Sequence, residues 1–239
     1  EADINQAVAA ARKAFDHGPW PRMSHAERAG YLRAIADELD KRVEEGALIQ
    51  TTESGMVHSI AKTRLAGLSY TYNYYAGLAD TYPFQERHTP RAGGNVGLLV
   101  REPVGVVGAI IPWNGPPGLI ANKCAPALLA GCTVVVKASP EAPGAAYIIA
   151  EVCEKIGLPP GVLNILTADR EVSELLVRNP GIDKITFTGS TAAGRRIASI
   201  CGDRIARCTL ELGGKSAAVI LDDYDVARLR RRLRGVRPY

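Results

Sequence analysis

The chain has 239 residues, 46% hydrophobic and 23% charged, the composition of an ordinary folded chain, which excludes a disulfide-stapled miniature, a fibrous protein and long disorder. Aromatic residues, at 6%, are too few for a surface built to stack nucleobases. The formal net charge of +4 comes from the tail, where Arg228, Arg230, Arg231, Arg232, Arg234 and Arg237 stand without an acid, so the body before them is faintly acidic.

The first eighty residues read as helices. Ile4, Ala7, Val8, Ala11, Ala14 and Phe15 recur at helical spacing until Gly18-Pro19 ends the run. Ser24-His25-Ala26-Glu27 has the pattern of a capping box, and Leu32, Ile35, Ala36 and Leu39 form the stripe of the helix it starts. Further helices are predicted over 43–53 and 59–80. Between Tyr82 and Arg101 short extended pieces flank Gly93-Gly94-Asn95, the pattern of a hairpin. From Val104 onward apolar runs alternate with helical ones. Strands are predicted over 104–111, 133–137, 162–166, 184–188, 209–212 and 217–221, and helices over 119–130, 143–156 and 191–200. Such alternation implies an α/β fold with a mostly parallel sheet covered by helices on both faces.

The longest uncharged run, Pro103 to Asn122, reaches membrane-spanning length, but its four prolines and four glycines exclude a spanning helix. Cys124, Cys132, Cys153, Cys201 and Cys208 are odd in number and lack CxxC spacing. They read as buried thiols in a reducing, cytoplasmic setting, with no metal site. No signal peptide precedes the first helix, and the chain starts without an initiator Met, which leaves room for residues upstream.

In open α/β sheets ligands collect beyond the carboxyl ends of the strands, so the residues there carry the chemistry. Ile111-Pro112-Trp113-Asn114 leaves a strand through a proline-bounded turn; the Asn114 amide suits an oxyanion donor or, equally, a helix cap. Lys137, at the end of the next strand, suits a ribose or phosphate contact or a solvated surface position. Phe187-Thr188-Gly189-Ser190 runs from strand into helix, where free N–H groups form an anion site or a plain cap. Glu211, inside an apolar strand before Gly213-Gly214, is a candidate general base whose pKa burial would raise, or a glutamate paired with a nearby cation.

Taken in this order, these segments resemble the aldehyde dehydrogenase superfamily. The likeness lies in Glu102 to Val107 through Pro112-Trp113-Asn114, in Lys137, in Phe187 to Ser190 and in Glu211 to Ser216, and it runs from about Ile4 to about Leu229. It covers about the first half of a family member. The resemblance implies a Rossmann-like domain, incomplete here, over 1–80 and 103–227, an oligomerisation hairpin over 81–102, and an atypical basic tail over 228–239. It also implies oxidation of an aldehyde to a carboxylic acid with NAD or NADP. Asn114 would hold the oxyanion, Glu211 would activate water, and Lys137 would hold the adenosine ribose. Gly189 and Ser190 would face the pyrophosphate, and Ile111, Pro112, Trp113, Gly161 and Leu212 would line the cofactor groove.

Three departures qualify these expectations. The family glutamate that grips the ribose sits three residues after the lysine, where this chain has Pro140 with Glu141 one place on, so the choice between NAD and NADP is open. The family nucleophile, a cysteine about thirty to thirty-five residues after the glutamate, falls beyond Tyr239, so the chain alone is expected to be inactive. The arginine run replaces an expected apolar helix, which predicts a shifted reading frame or a broken gene near residue 228. Partners implied for an intact parent are a small aldehyde and its own copies, as a homodimer or homotetramer, with no nucleic acid and no membrane. The alternative is a non-catalytic dinucleotide-binding or interaction module.

Overall fold

A computed structural model describes residues 1–235. Helix α1 spans Ala2–Asp16 and stops at the predicted Gly18-Pro19. A short 3-10 turn at Trp20–Arg22 follows, and the fully buried Trp20 donates its indole N–H to the Cys132 carbonyl at 3.1 Å. The capping box closes as expected: Ser24 Oγ accepts from the Glu27 N–H, while the Glu27 carboxylate accepts from the Ser24 N–H, and α2 runs over His25–Asp40. Helix α3 is Val43–Ser54. The single helix predicted over 59–80 is two, α4 (His58–Ala66) and α5 (Leu68–Thr81), meeting at Gly67. Glycine is a poor helix residue, and Leu65 and Leu68 on either side of it are both buried.

The hairpin predicted between Tyr82 and Arg101 is present as β1 (Gln85–His88) and β2 (Gly97–Val100), paired antiparallel apart from the main sheet. That main sheet comprises β3 (Val106–Ile110), β4 (Thr133–Ala138), β5 (Leu163–Thr167), β6 (Lys184–Gly189) and β7 (Arg207–Leu212). All five are parallel, in the order β5-β4-β3-β6-β7. The chain therefore builds outward from β3 to one side, then returns to lay β6 and β7 on the other.

Side chains alternate between two cores. Val107, Ala109, Val134 and Val136 pack with α2, α5, α6 (Pro116–Ala130) and α7 (Gly144–Lys155). Val106, Ile110, Val135, Ile185 and Phe187 pack on the opposite face with α1, α8 (Arg170–Arg178) and α9 (Thr191–Asp203). This two-faced cover is the fold class that the alternation predicted. Helix α8 was not among the predicted elements, although its start is marked by Asp169, whose carboxylate accepts from the Val172 N–H at 2.9 Å.

Two further expectations are corrected. Residues 217–221 form no strand; Val219, Ile220 and Leu221 are exposed, because β7 is the edge of the sheet and has no further neighbour among the described residues. Four of the five cysteines are buried, as expected, but Cys208 is exposed on that same edge strand. The arginine-rich segment is helical as α10 (Val226–Gly235), with Arg228, Arg230 and Arg231 exposed; residues 236–239 of the predicted tail lie outside the described residues. Among the described residues no helix is long and apolar enough to cross a membrane.

Three helices end alike. At α6 the Cys132 N–H reaches back to Ala127 O and the Gly131 N–H to Leu128 O; at α7 the pairs are Leu158 to Cys153 and Gly157 to Glu154. These are Schellman ends, with glycine at positive φ, 97° at Gly131 and 69° at Gly157. At α9 the same two bonds form, from Ala206 to Cys201 and from Ile205 to Gly202, but the left-handed residue is Ile205, at φ 56°. The end of α6 is also held from outside: Arg28, buried without a carboxylate, donates to the carbonyls of Leu129, Trp20 and Met23 at 2.8, 3.2 and 2.5 Å.

Candidate functional site

The return from β5 to β6 makes the sheet reverse its order beside β3, and the carboxyl ends of β3 and β6 flank the crevice where open parallel sheets take ligands. Two cavities open there, one on each face. The larger, about 1120 Å³, is lined by Pro112, Trp113 and Asn114 after β3, by Thr186, Thr188, Gly189 and Ser190 of β6 and its turn, and by Glu211 and Leu212 of β7. The smaller, about 450 Å³, is lined by Lys137, Ser139 and Glu141 after β4, by Asp169 and Arg170, and by Phe187. The turn from Phe187 to Ser190 thus borders both.

Asn114 and Glu211 therefore line one groove although they are remote in sequence. Gly115 is the N-cap residue of α6, and no side chain caps that end, so the capping role open to Asn114 is not the one adopted. Glu211 does not have the burial expected of it. It is exposed, on a strand at the sheet edge.

At the β6 turn, a Cβ on Gly189 would come 2.5 Å from the Phe187 ring, so a larger residue there requires the aromatic to shift. Ser190 caps α9 by accepting from the Ala193 N–H at 3.2 Å. Thr188 Oγ1 is buried in the groove wall with no partner. On the other face Lys137 is only 7% exposed, and its ammonium donates to Ala168 O at 3.3 Å. Burial pushes that ammonium down, opposed by the nearby Glu141 and Asp169 carboxylates. Glu141 is hydrogen-bonded by the Ser139 hydroxyl, which holds its carboxyl below the usual range.

Two of the expected groove residues are not brought to either cavity. Ile111 is buried in the core between β3 and its helices. Gly161 lies just before β5, at the opposite end of that strand from the crevice, and packs so closely on α1 that an added Cβ would come 2.6 Å from Ala10 O. Lys123, by contrast, was missed by the sequence reading. It lines the larger groove, donates to Thr186 Oγ1 at 3.0 Å, and is pushed down by burial while Glu211 counters the shift. Its signal was being the single charged residue of α6. Cys132 borders the groove near the start of β4, but burial raises its thiol, so it is not a ready thiolate. Among the described residues no group of three or more His, Cys, Asp or Glu is placed to hold a metal ion.

The sequence profile of the Aldehyde dehydrogenase family matches residues 1–234. The chain belongs to the aldehyde dehydrogenase family. Among aldehyde dehydrogenase relatives, geranial dehydrogenase of Castellaniella defragrans is 44% identical over 232 residues, covering 97% of this chain and 48% of that protein. Aldehyde dehydrogenase family 2 member C4 of Arabidopsis thaliana is 38% identical, over 94% of this chain and 45% of its own. The chain thus spans about half the length of these family members. A crystal structure of a Mycobacterium tuberculosis aldehyde dehydrogenase complexed with NAD+ superposes with a TM-score of 0.89 at 45% identity, over 95% of this chain and 47% of that one. A betaine aldehyde dehydrogenase structure from Staphylococcus aureus, in complex with NAD+, gives a TM-score of 0.92 at 31% identity, over 98% and 47%.

Proposed function

We propose that the chain is the dinucleotide-binding half of an NAD- or NADP-dependent enzyme that oxidises an aldehyde to a carboxylic acid. The observation that carries this is that Asn114 and Glu211 line one groove, which shares the β6 turn with the Lys137 cavity. The residues present fit a dinucleotide. Thr188 offers an orphaned hydroxyl in the groove wall, α9 points its N-terminus toward the crevice, and Lys137 keeps an ammonium with one long carbonyl contact.

A bound nicotinamide dinucleotide supplies the hydride acceptor. In this reading Lys137 donates to the adenosine ribose, with Glu141 beside it as an acceptor, and Ser190 with the first N–H groups of α9 faces the pyrophosphate. Pro112, Trp113 and Leu212 wall the nicotinamide end. The Asn114 amide donates to the oxygen of the aldehyde as it gains negative charge, a contact worth about 3 kcal/mol in comparable sites. The Glu211 carboxylate takes a proton from the water that releases the acid.

None of the described cysteines fits the nucleophile. Cys124 and Cys153 are buried with thiols pushed up, Cys132 is raised by burial, Cys201 is buried, and Cys208 projects from β7 to the face opposite Glu211. The thiolate is therefore assigned to sequence outside these 239 residues. We further assign pairing between copies to the hairpin, whose Leu98, Leu99 and Val100 are exposed, and a reducing cytoplasmic setting to the unbridged cysteines.

Thermal unfolding with NAD+ and with NADP+ tests the reading, since a ligand bound only by the folded chain raises its melting temperature. A rise is expected with at least one, and the larger rise identifies the preferred cofactor. No rise with either overturns the assignment. Aldehyde-dependent formation of reduced cofactor by the chain alone is expected to be absent, and turnover in a preparation free of full-length relatives would refute the assignment of the nucleophile.

A further inference from the structure

Cys201 and Cys208 stand apart from the other cysteines because the fold brings both to one face of the join between α9 and β7. Cys201, 1% exposed, lies in the last turn of α9. Cys208 is the second residue of β7 and is exposed. In β7, Thr209 and Glu211 face the larger groove, so Cys208 and Leu210 project to the other face, where Leu210 packs on the core that contains Cys201. The Schellman end of α9 turns the chain back within five residues, and its Ala206 N–H to Cys201 O bond of 2.8 Å fixes the return. The two thiols are near enough to influence one another's ionisation.

We propose that Cys201 and Cys208 form an oxidisable dithiol, a modification site at which a hydroperoxide converts the pair to a disulfide tying the end of α9 to β7. The Cys208 sulfur is the accessible one and attacks first. Its thiolate takes one peroxide oxygen, the O–O bond breaks, Cys208 becomes a sulfenic acid, and the departing hydroxide is protonated to water. The Cys201 sulfur then attacks the Cys208 sulfur, the S–O bond breaks, and the hydroxyl leaves as a second water with the Cys201 proton. The two sulfurs lose the two electrons that the peroxide gains. Burial and the neighbouring thiol raise the Cys201 thiol, which suits it to the second, resolving step. The site does not depend on the dinucleotide reading. It does touch the same architecture, because β7 carries Glu211 and α9 begins at the Ser190 turn.

The test uses the full chain, reduced, freed of reductant and exposed under native conditions to hydrogen peroxide. Intact mass should fall by two hydrogens and recover with dithiothreitol. Trypsin cuts after Arg204 and Arg207, so a non-reducing digest should hold the peptides 197–204 and 208–215 together through sulfur. Cys208→Ser should abolish both signals; its hydroxyl replaces an exposed thiol at an unstrained strand position. Three results would overturn the proposal: no mass change in peroxide, Cys208 carried to a sulfinic acid while Cys201 still reacts with maleimide, or a bridge from Cys208 to another cysteine or a second chain.

Discussion

Ile205→Gly should stabilise this protein. Ile205 occupies the left-handed position of the α9 end at φ 56°, where α6 and α7 place glycine. For an L-residue that conformation costs roughly 1–2 kcal/mol, and a β-branched side chain sits at the upper end of that range. Glycine removes the strain but gives the unfolded chain more freedom to lose, a cost of about 0.5–1 kcal/mol. The side chain is 92% exposed, so its removal sacrifices almost no burial. The difference is a net gain of about 1–1.5 kcal/mol, and at roughly 2–4 °C per kcal/mol for a chain of this size the melting temperature should rise by about 2–6 °C. Differential scanning calorimetry on both proteins reads the change, with Gly157→Ile as the inverse control, expected to lower it. A variant that melts at or below the parent temperature, with the control behaving as stated, would refute the strain argument.

Arg28→Met should cost about 3 kcal/mol or more, because it leaves two buried carbonyls and one part-buried one without their charged donor; the urea midpoint at unchanged slope measures this. Lys137→Ala should weaken dinucleotide binding at least about tenfold, the loss of one charged hydrogen bond, while leaving the far-UV circular dichroism unchanged; titration calorimetry reads the affinity. Glu174 is held down to about 2 by hydrogen bonds from Arg196 and Arg178. A carboxyl lowered on folding stabilises at pH values above its ordinary 4.5, and that contribution fades as pH falls toward 2. Glu174→Gln should therefore show a smaller loss of urea midpoint between pH 6 and pH 3 than the parent.

The alternation of apolar runs from Val104 onward made the parallel sheet legible, because a strand buried on both faces has few choices of residue. Ends set by explicit chemistry were legible too: Ser24 with Glu27 started α2 where expected. What escaped depended on neighbours. The break at Gly67 was not marked by the apolar spacing around it, and 217–221 has the pattern of a strand but no strand beside it. Asn114 and Glu211 line one groove because strand ends converge by topology. The exposure of Glu211 was not legible, since edge position is a property of the whole sheet. Lys123 was passed over because a lysine in an apolar helix has no meaning until Thr186 and Glu211 are placed opposite it.

The order in which the strands are laid down has a consequence for the growing chain. When β3, β4 and β5 have left the ribosome, one wall of the crevice is complete, with the Asn114 turn and Lys137 already in place, yet there is nothing across from it. The facing wall arrives only with β6 and β7. On the proposed reading, a dinucleotide can bridge the two walls only after β6 and β7 have joined the sheet, so its binding energy is added at the last stage of assembly.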